Sequence, residues 1–214
     1  HHQISIDSER VAECIPHYLC SIDEPYADGS AIPTAMLARL AKEHVTVLLS
    51  GEGGDEMFSG YDTHAAAIAR RWYRKIPAWI RQKGIAPMVQ NLPVRHSKLS
   101  FDFKAKRFVT GVEHSTARSH YAWREVLNED AKKALMTQAA EVPPSHTLFT
   151  DAWDDCDGSD ELSKLLHIDR THHLPDDLMV KNDRMTMAFS IEARVPFCDK
   201  ELVAFLATVP SELM

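Results

Sequence analysis

An acidic, glycine-rich turn follows an apolar run in the stretch VTVLLSGEGGDEMFSGY, residues 45–61. Glycines let the backbone approach a ligand closely, and successive backbone N–H groups in such a turn can form an anion-binding nest. The turn nevertheless holds three carboxylates and no Lys or Arg; its glycines and acids are Gly51, Glu52, Gly53, Gly54, Asp55 and Glu56. This combination suggests chemistry at a phosphate group whose charge other components must neutralise.

The turn matches neither of the common phosphate-binding fingerprints. It has no Lys for a Walker A loop, and its G-x-G-G spacing differs from the dinucleotide-binding pattern. Carboxylates beside phosphate can hold Mg²⁺, or they can meet a cationic or proton-losing group of a second substrate. The alternative is a tight turn whose acids stabilise the start of the next helix. Glu52 fits that alternative least well, because it precedes the helix.

A second charged stretch, LPDDLMVKNDRMTMAFSIEARVPF, spans residues 174–197. In a helix over residues 176–189, Asp177, Lys181 and Arg184 follow i, i+4, i+7 spacing and share one stripe. The same helix is apolar nearly all round, so its charges should be paired or line a cleft. They form either a buried ion-pair network or a site where Lys181 or Arg184 stabilises phosphate charge.

The elements that would position these residues are typical of an α/β fold. Residues 45–49 form a continuous apolar run, which predicts a strand buried on both faces. A helix precedes this run and another follows the glycine turn, as in parallel-sheet proteins. From residue 62 onward the patterns predict only helices, with a break at Pro175. A complete parallel sheet needs more strands, so we expect a fragment of a longer chain.

The composition argues against several classes of partner. The formal net charge is −7 and the sequence pI is about 5.9, whereas nucleic-acid binders carry basic surfaces. The short basic run RRWYRK, residues 70–75, favours the solvated face of an amphipathic helix. No apolar run reaches the length of a membrane span. The four cysteines lack a CxxC pair and predict buried, unpaired thiols in a reducing compartment.

Three blocks together resemble the glutamine-dependent asparagine synthetases. They are DEPYADGSAIPT (residues 23–34), VTVLLSGEGGDEMFSGY and LPDDLMVKNDRMTMAFSIEARVPF, in the family's order. The resemblance covers roughly residues 1–75 and 160–214. It divides the chain into an α/β part (1–75), a helical variable region (76–159) and a helical part with the charged cluster (160–214).

The resemblance implies a synthetase domain of the PP-loop ATPase type, with an incomplete adenine-nucleotide α-hydrolase-like parallel sheet and a largely helical C-terminal part. Such ligases use Mg-ATP to adenylate a carboxylate and let ammonia displace AMP. In this family the carboxylate is the aspartate side chain, and an upstream glutaminase domain supplies ammonia from glutamine. ATP and Mg²⁺ are therefore the expected cofactors. ATP use and the lack of a targeting segment suggest the cytoplasm.

The same resemblance implies roles for particular residues. Glu52 corresponds to the acid that serves aspartyl-AMP formation or ammonia activation, and Lys181 or Arg184 to the cation on pyrophosphate or adenylate. Asp23 falls where relatives have a Mg²⁺ carboxylate. The residues of the turn expected at the nucleotide and supporting the loop are Ser50, Gly51, Gly53, Gly54 and Asp55.

This chain also departs from the family pattern. It contains neither the SGGxDS pyrophosphate loop nor a glutaminase domain, so we expect the 214 residues alone to be inactive. Ser59 replaces a usual glycine and Cys198 a usual aliphatic residue. Two alternatives remain: an amidotransferase acting on another carboxylate, such as a cell-envelope sugar acid, a peptide or a β-lactam precursor, or a non-catalytic domain that keeps the fold.

Overall fold

The structure, a computed structural model, describes residues 1–24, 26–94, 100–136, 142–158 and 160–214. These residues form two compact units. Unit 1 contains His1–Phe58 and Asp169–Met214, and unit 2 contains Ser59–Ile168. Within the predicted helical region 76–159, residues 95–99, 137–141 and 159 lie outside the described residues.

The described part of the chain is mostly helical. In chain order its numbered elements are α1 (Ser8–Ser21), α2 (Ala31–Ala41), β1 (Val47–Leu49), α3 (Gly54–Phe58), α4 (Asp62–Tyr73), α5 (Ala78–Ile80), α6 (Ala86–Gln90), α7 (Phe101–Gly111), α8 (Thr116–Ala122), α9 (Glu129–Leu135), α10 (Thr147–Asp154), α11 (Glu161–Ile168), α12 (Val180–Met187), β2 (Glu192–Arg194) and α13 (Lys200–Leu206). Two π-helical segments, Arg81–Ile85 and Asp169–Met179, and two 3₁₀ turns, Pro196–Cys198 and Ser211–Leu213, complete them.

The two described strands of unit 1 form a parallel pair. Leu48 of β1 lies opposite Ala193 of β2, which is consistent with an α/β class. The prediction of only helices after residue 62 is therefore wrong. The residues of β2 are Glu-Ala-Arg, which lack the apolar run that would predict a strand. They form a strand because they pair with β1. Both strands end at the same edge, and the glycine turn follows β1 there.

The prediction that the apolar run is buried on both faces is also wrong. Its exposed fractions are 42% at Val45, 43% at Val47 and 73% at Leu49. Alternate residues of a strand point to the same face, so these three side chains share one face. Among the described residues β1 pairs only with β2, and no described element of unit 1 buries that face.

Two apolar clusters stabilise unit 1. One joins α1, α2 and α12 through Tyr18, Ala31, Ala35 and Met185. The other joins α3, the π-helical segment and α13 through Met57, Leu174, Leu178 and Leu206. The α1 helix begins after Asp7, whose carboxylate accepts a 2.9 Å hydrogen bond from the Arg10 N–H and caps the helix.

The predicted break at Pro175 does not occur. Pro175 lies inside the π-helical segment Asp169–Met179, which continues directly into α12. A proline lacks an N–H and crowds the carbonyl four residues earlier, which disrupts α-helical geometry. The wider π-helical turn bonds residues five apart, so the chain remains helical through the proline.

Unit 2 is entirely helical in its described residues and has its own core. Trp123, Leu165 and Ile168 pack with alanines of α4, α8 and α10, and Phe108 and Trp153 pack at the edge of this cluster. No helix in the described ranges of either unit is long and apolar enough to cross a membrane.

All four cysteines are unpaired, as expected, but the prediction that they are buried is wrong: Cys20 is exposed and the other three are partly buried.

Candidate functional site

The glycine turn lies at the carboxyl end of β1, where ligands bind in open α/β sheets. The Ser50 N–H donates to the Arg194 carbonyl at 2.8 Å and fixes the start of the turn. Gly53 has φ +90°, a conformation that favours glycine. No acceptor among the described residues receives a hydrogen bond from the N–H of Gly51 or Gly53. Both N–H groups thus lack a protein acceptor in the described part of the chain, and of the two glycines Gly51 is exposed whereas Gly53 is buried.

Lys181 of α12 and Glu52 of the turn form the centre of the site. The Lys181 Nζ lies 3.1 Å from a Glu52 carboxylate oxygen. It lies 3.4 Å from the Asp28 carboxylate and donates to the Ser30 hydroxyl at 3.2 Å. The Lys181 side chain is only 7% exposed, so its charge is satisfied almost wholly by these oxygens. Helix α12 and the glycine turn thus meet at one ammonium group.

The charges of this cluster shift the pKa values of its members. Burial lowers the pKa of Lys181, but hydrogen bonding and charge from Glu52 and Asp28 outweigh burial and leave that pKa raised. Burial alone would raise the pKa of Asp28. Hydrogen bonds from Ser30 and the charge of Lys181 outweigh burial there, so the Asp28 pKa is lowered. Lys181 and Asp28 are therefore charged across the neutral range.

Arg184 and Asp23 form a separate, more exposed pair. A guanidinium nitrogen of Arg184 contacts the Asp23 carboxylate, and their side chains are 45% and 74% exposed. Solvent-exposed pairs of this kind contribute about 0–1 kcal/mol. Lys181 therefore lies beside the glycine turn. Arg184, which is three residues further along α12, lies beside Asp23 instead. Either side chain of the exposed pair can turn to a ligand at small cost.

The third member of the stripe, Asp177, anchors Tyr26. The Tyr26 hydroxyl donates to the Asp177 carbonyl at 2.7 Å and also to the Asp177 carboxylate. His173 Nδ1 lies 3.4 Å from the same carboxylate. Burial and the contact with Asp177 raise the pKa of Tyr26 well above its usual range. Asp177, Lys181 and Arg184 thus each contact a residue between Asp23 and Ser30. This agrees with the expectation that these charges are paired or line a cleft, with Lys181 and Arg184 in ion pairs.

The oxygen groups around Asp23 suit Mg²⁺ in chemical type. Glu24 and Asp183 line the same cavity of about 370 Å³, and Mg²⁺ binds through one or two carboxylates together with substrate phosphates and water. Among the described residues, Asp23 does not converge with two other His, Cys, Asp or Glu ligands within 4.8 Å. The carboxylates at Asp23 are compatible with Mg²⁺ in chemical type, but the described protein groups do not form a complete ligand set there.

The other residues expected at the nucleotide lie in the turn but have few contacts. The Ser50 hydroxyl accepts a long, 3.4 Å hydrogen bond from the Glu52 N–H. Gly51 and Asp55 are exposed, and Gly54 is partly buried. A Cβ built on Gly53 would lie 2.6 Å from the Cys198 sulfur, so the Pro196–Cys198 turn packs closely against it. These positions leave the outer face of the turn open.

Asp28, Ser30 and Tyr26 were not anticipated by the sequence reasoning. All three lie in DEPYADGS, between α1 and α2. The available signal was the density of polar residues in a stretch without regular structure, next to a recognisable block. Ser30 and Tyr26 lie 151 positions from their partners Lys181 and Asp177, and Asp28 contacts the same Lys181. Only tertiary structure reveals such pairs.

Comparisons with known proteins identify the family of this chain. The family model described as Asparagine synthase matches residues 1–214. "Asparagine synthetase [glutamine-hydrolyzing] 1" of Bacillus subtilis is 27% identical over 208 residues, which cover 97% of this chain and 32% of that protein. A "Putative asparagine synthetase [glutamine-hydrolyzing]" of Mycobacterium bovis is 29% identical over 213 residues, 96% of this chain and 30% of the relative.

A third relative, from Methanocaldococcus jannaschii, is a "Putative asparagine synthetase [glutamine-hydrolyzing] 2" with 38% identity over 95 residues, 44% of this chain and 18% of that protein. The chain spans about a third of the length of the Bacillus and Mycobacterium relatives. The match over all 214 residues agrees with the three sequence blocks. The chain belongs to the asparagine synthase family.

Proposed function

We propose that this chain is part of an ATP-dependent asparagine synthetase. In the proposed reaction, an oxygen of the aspartate side-chain carboxylate attacks the α-phosphorus of ATP. The bond from that phosphorus to the β,γ-phosphates breaks and pyrophosphate leaves. Ammonia derived from glutamine then attacks the acyl carbon of aspartyl-AMP, loses a proton and displaces AMP. The relatives are named as glutamine-hydrolysing asparagine synthetases, which supports this reaction.

The observation that carries the proposal is the 3.1 Å contact between Glu52 and Lys181. It joins an acid and a cation at the carboxyl end of β1, beside a turn with free backbone N–H groups. Adenylation needs positive charge at the phosphates, whereas amide formation needs an acceptor for a proton of the amine. A single lysine–glutamate pair supplies both kinds of group.

In the proposed site, Lys181 exchanges its contact with Glu52 for the oxygens of the departing pyrophosphate or of the adenylate. Asp28 and Ser30 keep its ammonium in place. The Glu52 carboxylate assists adenylate formation or accepts a proton from the attacking ammonia. The free N–H groups of Gly51 and Gly53 face the nucleotide. We assign Arg184 a second position near the phosphates, because its pair with Asp23 is exposed and easily exchanged.

We assign Asp23, with Glu24 or Asp183, to Mg²⁺. Mg²⁺ bound to ATP neutralises phosphate charge and lowers the barrier to attack at phosphorus. Asp23 would contribute a carboxylate oxygen to the ion while Arg184 turns to the phosphates. Its high exposure is consistent with a site that forms only when the nucleotide contributes oxygens.

We also propose that the 214 residues do not catalyse the whole reaction by themselves, because they contain no SGGxDS loop. The prediction fails if this chain alone forms asparagine from aspartate, ammonia and Mg-ATP. Two alternatives are a related amidotransferase that acts on another carboxylate and a non-catalytic domain. Aspartate-dependent ATP–pyrophosphate exchange by the whole protein distinguishes them: exchange with another carboxylate supports the first, and none supports the second.

The proposed role of Glu52 is tested by Glu52→Gln in the whole protein, with Glu43→Gln as control. Glu43 is an exposed acid of the same unit outside the site. Loss of acid–base assistance should lower asparagine synthesis by roughly a hundredfold or more, whereas glutamine hydrolysis should be unchanged. Glu43→Gln should behave as wild type. Normal synthesis by Glu52→Gln would show that the assignment of Glu52 is incorrect.

A further inference from the structure

The basic run RRWYRK contributes to a cavity in unit 2. Arg70 lies near the end of α4 and Arg74 directly follows the helix; both line a cavity of about 540 Å³. The other side chains that define its chemistry are Ser115, Thr116, Thr150, Trp153 and Asp154. This cavity, the arginine pocket, lies wholly within unit 2. It is therefore independent of the site around Glu52 and Lys181.

Arg70 is a fixed, buried wall of the arginine pocket. Its side chain is 7% exposed. Its Nε donates to the Val112 carbonyl at 3.2 Å, and Nη1 donates to the Thr116 hydroxyl at 3.0 Å. Its Nη1 also lies 3.8 Å from one carboxylate oxygen of Glu161. The other oxygen of that carboxylate lies 2.5 Å from Nε of Arg71. Arg70 therefore shares its counter-charge with a second arginine.

Arg74 supplies a second guanidinium to the arginine pocket. Its side chain is exposed and makes no hydrogen bond or ion pair with any side chain in the described ranges. Burial lowers the pKa of Arg70, and the charge of Arg74 lowers that pKa further. The repulsion indicates that the two cations share one electrostatic environment. An anion between them would relieve it.

The remaining groups of the arginine pocket limit what kind of anion fits. The Ser115 hydroxyl accepts from the Arg118 N–H at 3.4 Å, so its own hydrogen is available for donation. Trp153 is partly buried and lines the pocket with an aromatic side chain. Among the described residues that line the pocket, Asp154 is the single carboxylate and two are arginines, so positive charge prevails there. Its volume lies within the roughly 300–1,000 Å³ of small-molecule sites.

We propose that the arginine pocket binds a phosphate monoester, with the phosphoryl group at Arg74 and Ser115 and the organic group along Trp153. A phosphate monoester carries a charge of about −1.5 to −2 at neutral pH, and the two guanidinium groups exceed the one charge of Asp154 and offset part of it. Arginine matches the oxygens of phosphate through paired hydrogen bonds. The aromatic wall adds apolar contact for the ester group, which inorganic phosphate lacks.

Calorimetric titration of the whole protein with phenyl phosphate tests this proposal, in Mg²⁺-free buffer of low ionic strength. The variants are Arg74→Gln and the matched control Lys75→Gln. Lys75 carries the same charge at the next position, but its ammonium lies over the Trp72 ring at 4.0 Å and does not line the pocket. Arg74 is exposed, so its replacement should leave the fold intact, which circular dichroism checks.

We expect Arg74→Gln to weaken binding of phenyl phosphate by about tenfold or more, as for loss of a charged hydrogen bond, and Lys75→Gln to have little effect. Inorganic phosphate should bind more weakly than phenyl phosphate to the wild-type protein. No measurable binding, or equal weakening by both variants, would overturn the proposal. Tighter binding of a short single-stranded oligonucleotide than of phenyl phosphate would also overturn it, in favour of a nucleic-acid surface.

Discussion

Replacing Lys181 with Met should destabilise the protein strongly at neutral pH. Methionine keeps an unbranched side chain of similar length but removes the ammonium group. Asp28 and Glu52 then remain close together without their common cation. Their side chains are 26% and 23% exposed, so water compensates only part of the lost contact. The change therefore tests whether this cluster stabilises unit 1 besides serving the proposed chemistry.

The expected magnitude follows from the burial of the three groups. Removing one partner of a fully buried ion pair costs about 3–5 kcal/mol, whereas exposed pairs contribute about 0–1 kcal/mol. Lys181 is buried and its partners are about three-quarters buried, so we expect a loss of about 2–3 kcal/mol in the free energy of unfolding. In a protein of this size that corresponds to a fall in Tm of about 5–10 °C.

The effect should depend on pH in a defined direction. The pKa of Lys181 is raised in the folded protein. Its contribution to the free energy of unfolding is therefore complete below the ordinary lysine pKa and disappears as pH rises through the higher pKa of the folded state. The lowered pKa of Asp28 means that its contribution is complete above about pH 4 and disappears as pH falls through the lower folded value. The difference between wild type and Lys181→Met should therefore be largest near neutral pH and shrink in acid.

Urea denaturation of wild type, Lys181→Met, Glu52→Gln and the double variant measures this effect. Removing the Glu52 charge should relieve part of the repulsion with Asp28, so the double variant should be more stable than the sum of single effects predicts, by about 1 kcal/mol or more. A Lys181→Met protein within 0.5 kcal/mol of wild type at about pH 7, or additive single effects, would refute the reasoning.

Two further changes test the backbone of the loops. Ser59 has φ +60°, a backbone conformation that costs a residue with a side chain about 1 kcal/mol. Ser59→Gly should therefore raise the free energy of unfolding by about 0.5–1 kcal/mol in urea denaturation. A loss of stability would contradict this prediction. Gly53→Ala should destabilise by about 2 kcal/mol or more, because φ is +90° and its Cβ would lie 2.6 Å from the Cys198 sulfur. Adding Cys198→Ala should restore part of that loss, and no recovery would show that the clash is unimportant.

The sequence by itself determined the local features and the family. The helix over Ser8–Ser21 with its Asp7 cap follows from short-range spacing, and so does the charged stripe of residues 177, 181 and 184. The three blocks identified the family, which the match over residues 1–214 confirms. These features are readable because capping, helical periodicity and glycine turns each depend on residues only a few positions apart.

Tertiary structure decided the partners and the sheet. Neither the strand at Glu192–Arg194 nor the exposure of Leu49 follows from local composition, because pairing and coverage depend on which distant segments meet. Tertiary structure also determines the neighbours of the two cations. Lys181 contacts Glu52, Asp28 and Ser30, and Arg184 contacts Asp23. Spacing along one helix places charges on a common face, but only the folding of distant segments onto that face determines which charge meets which.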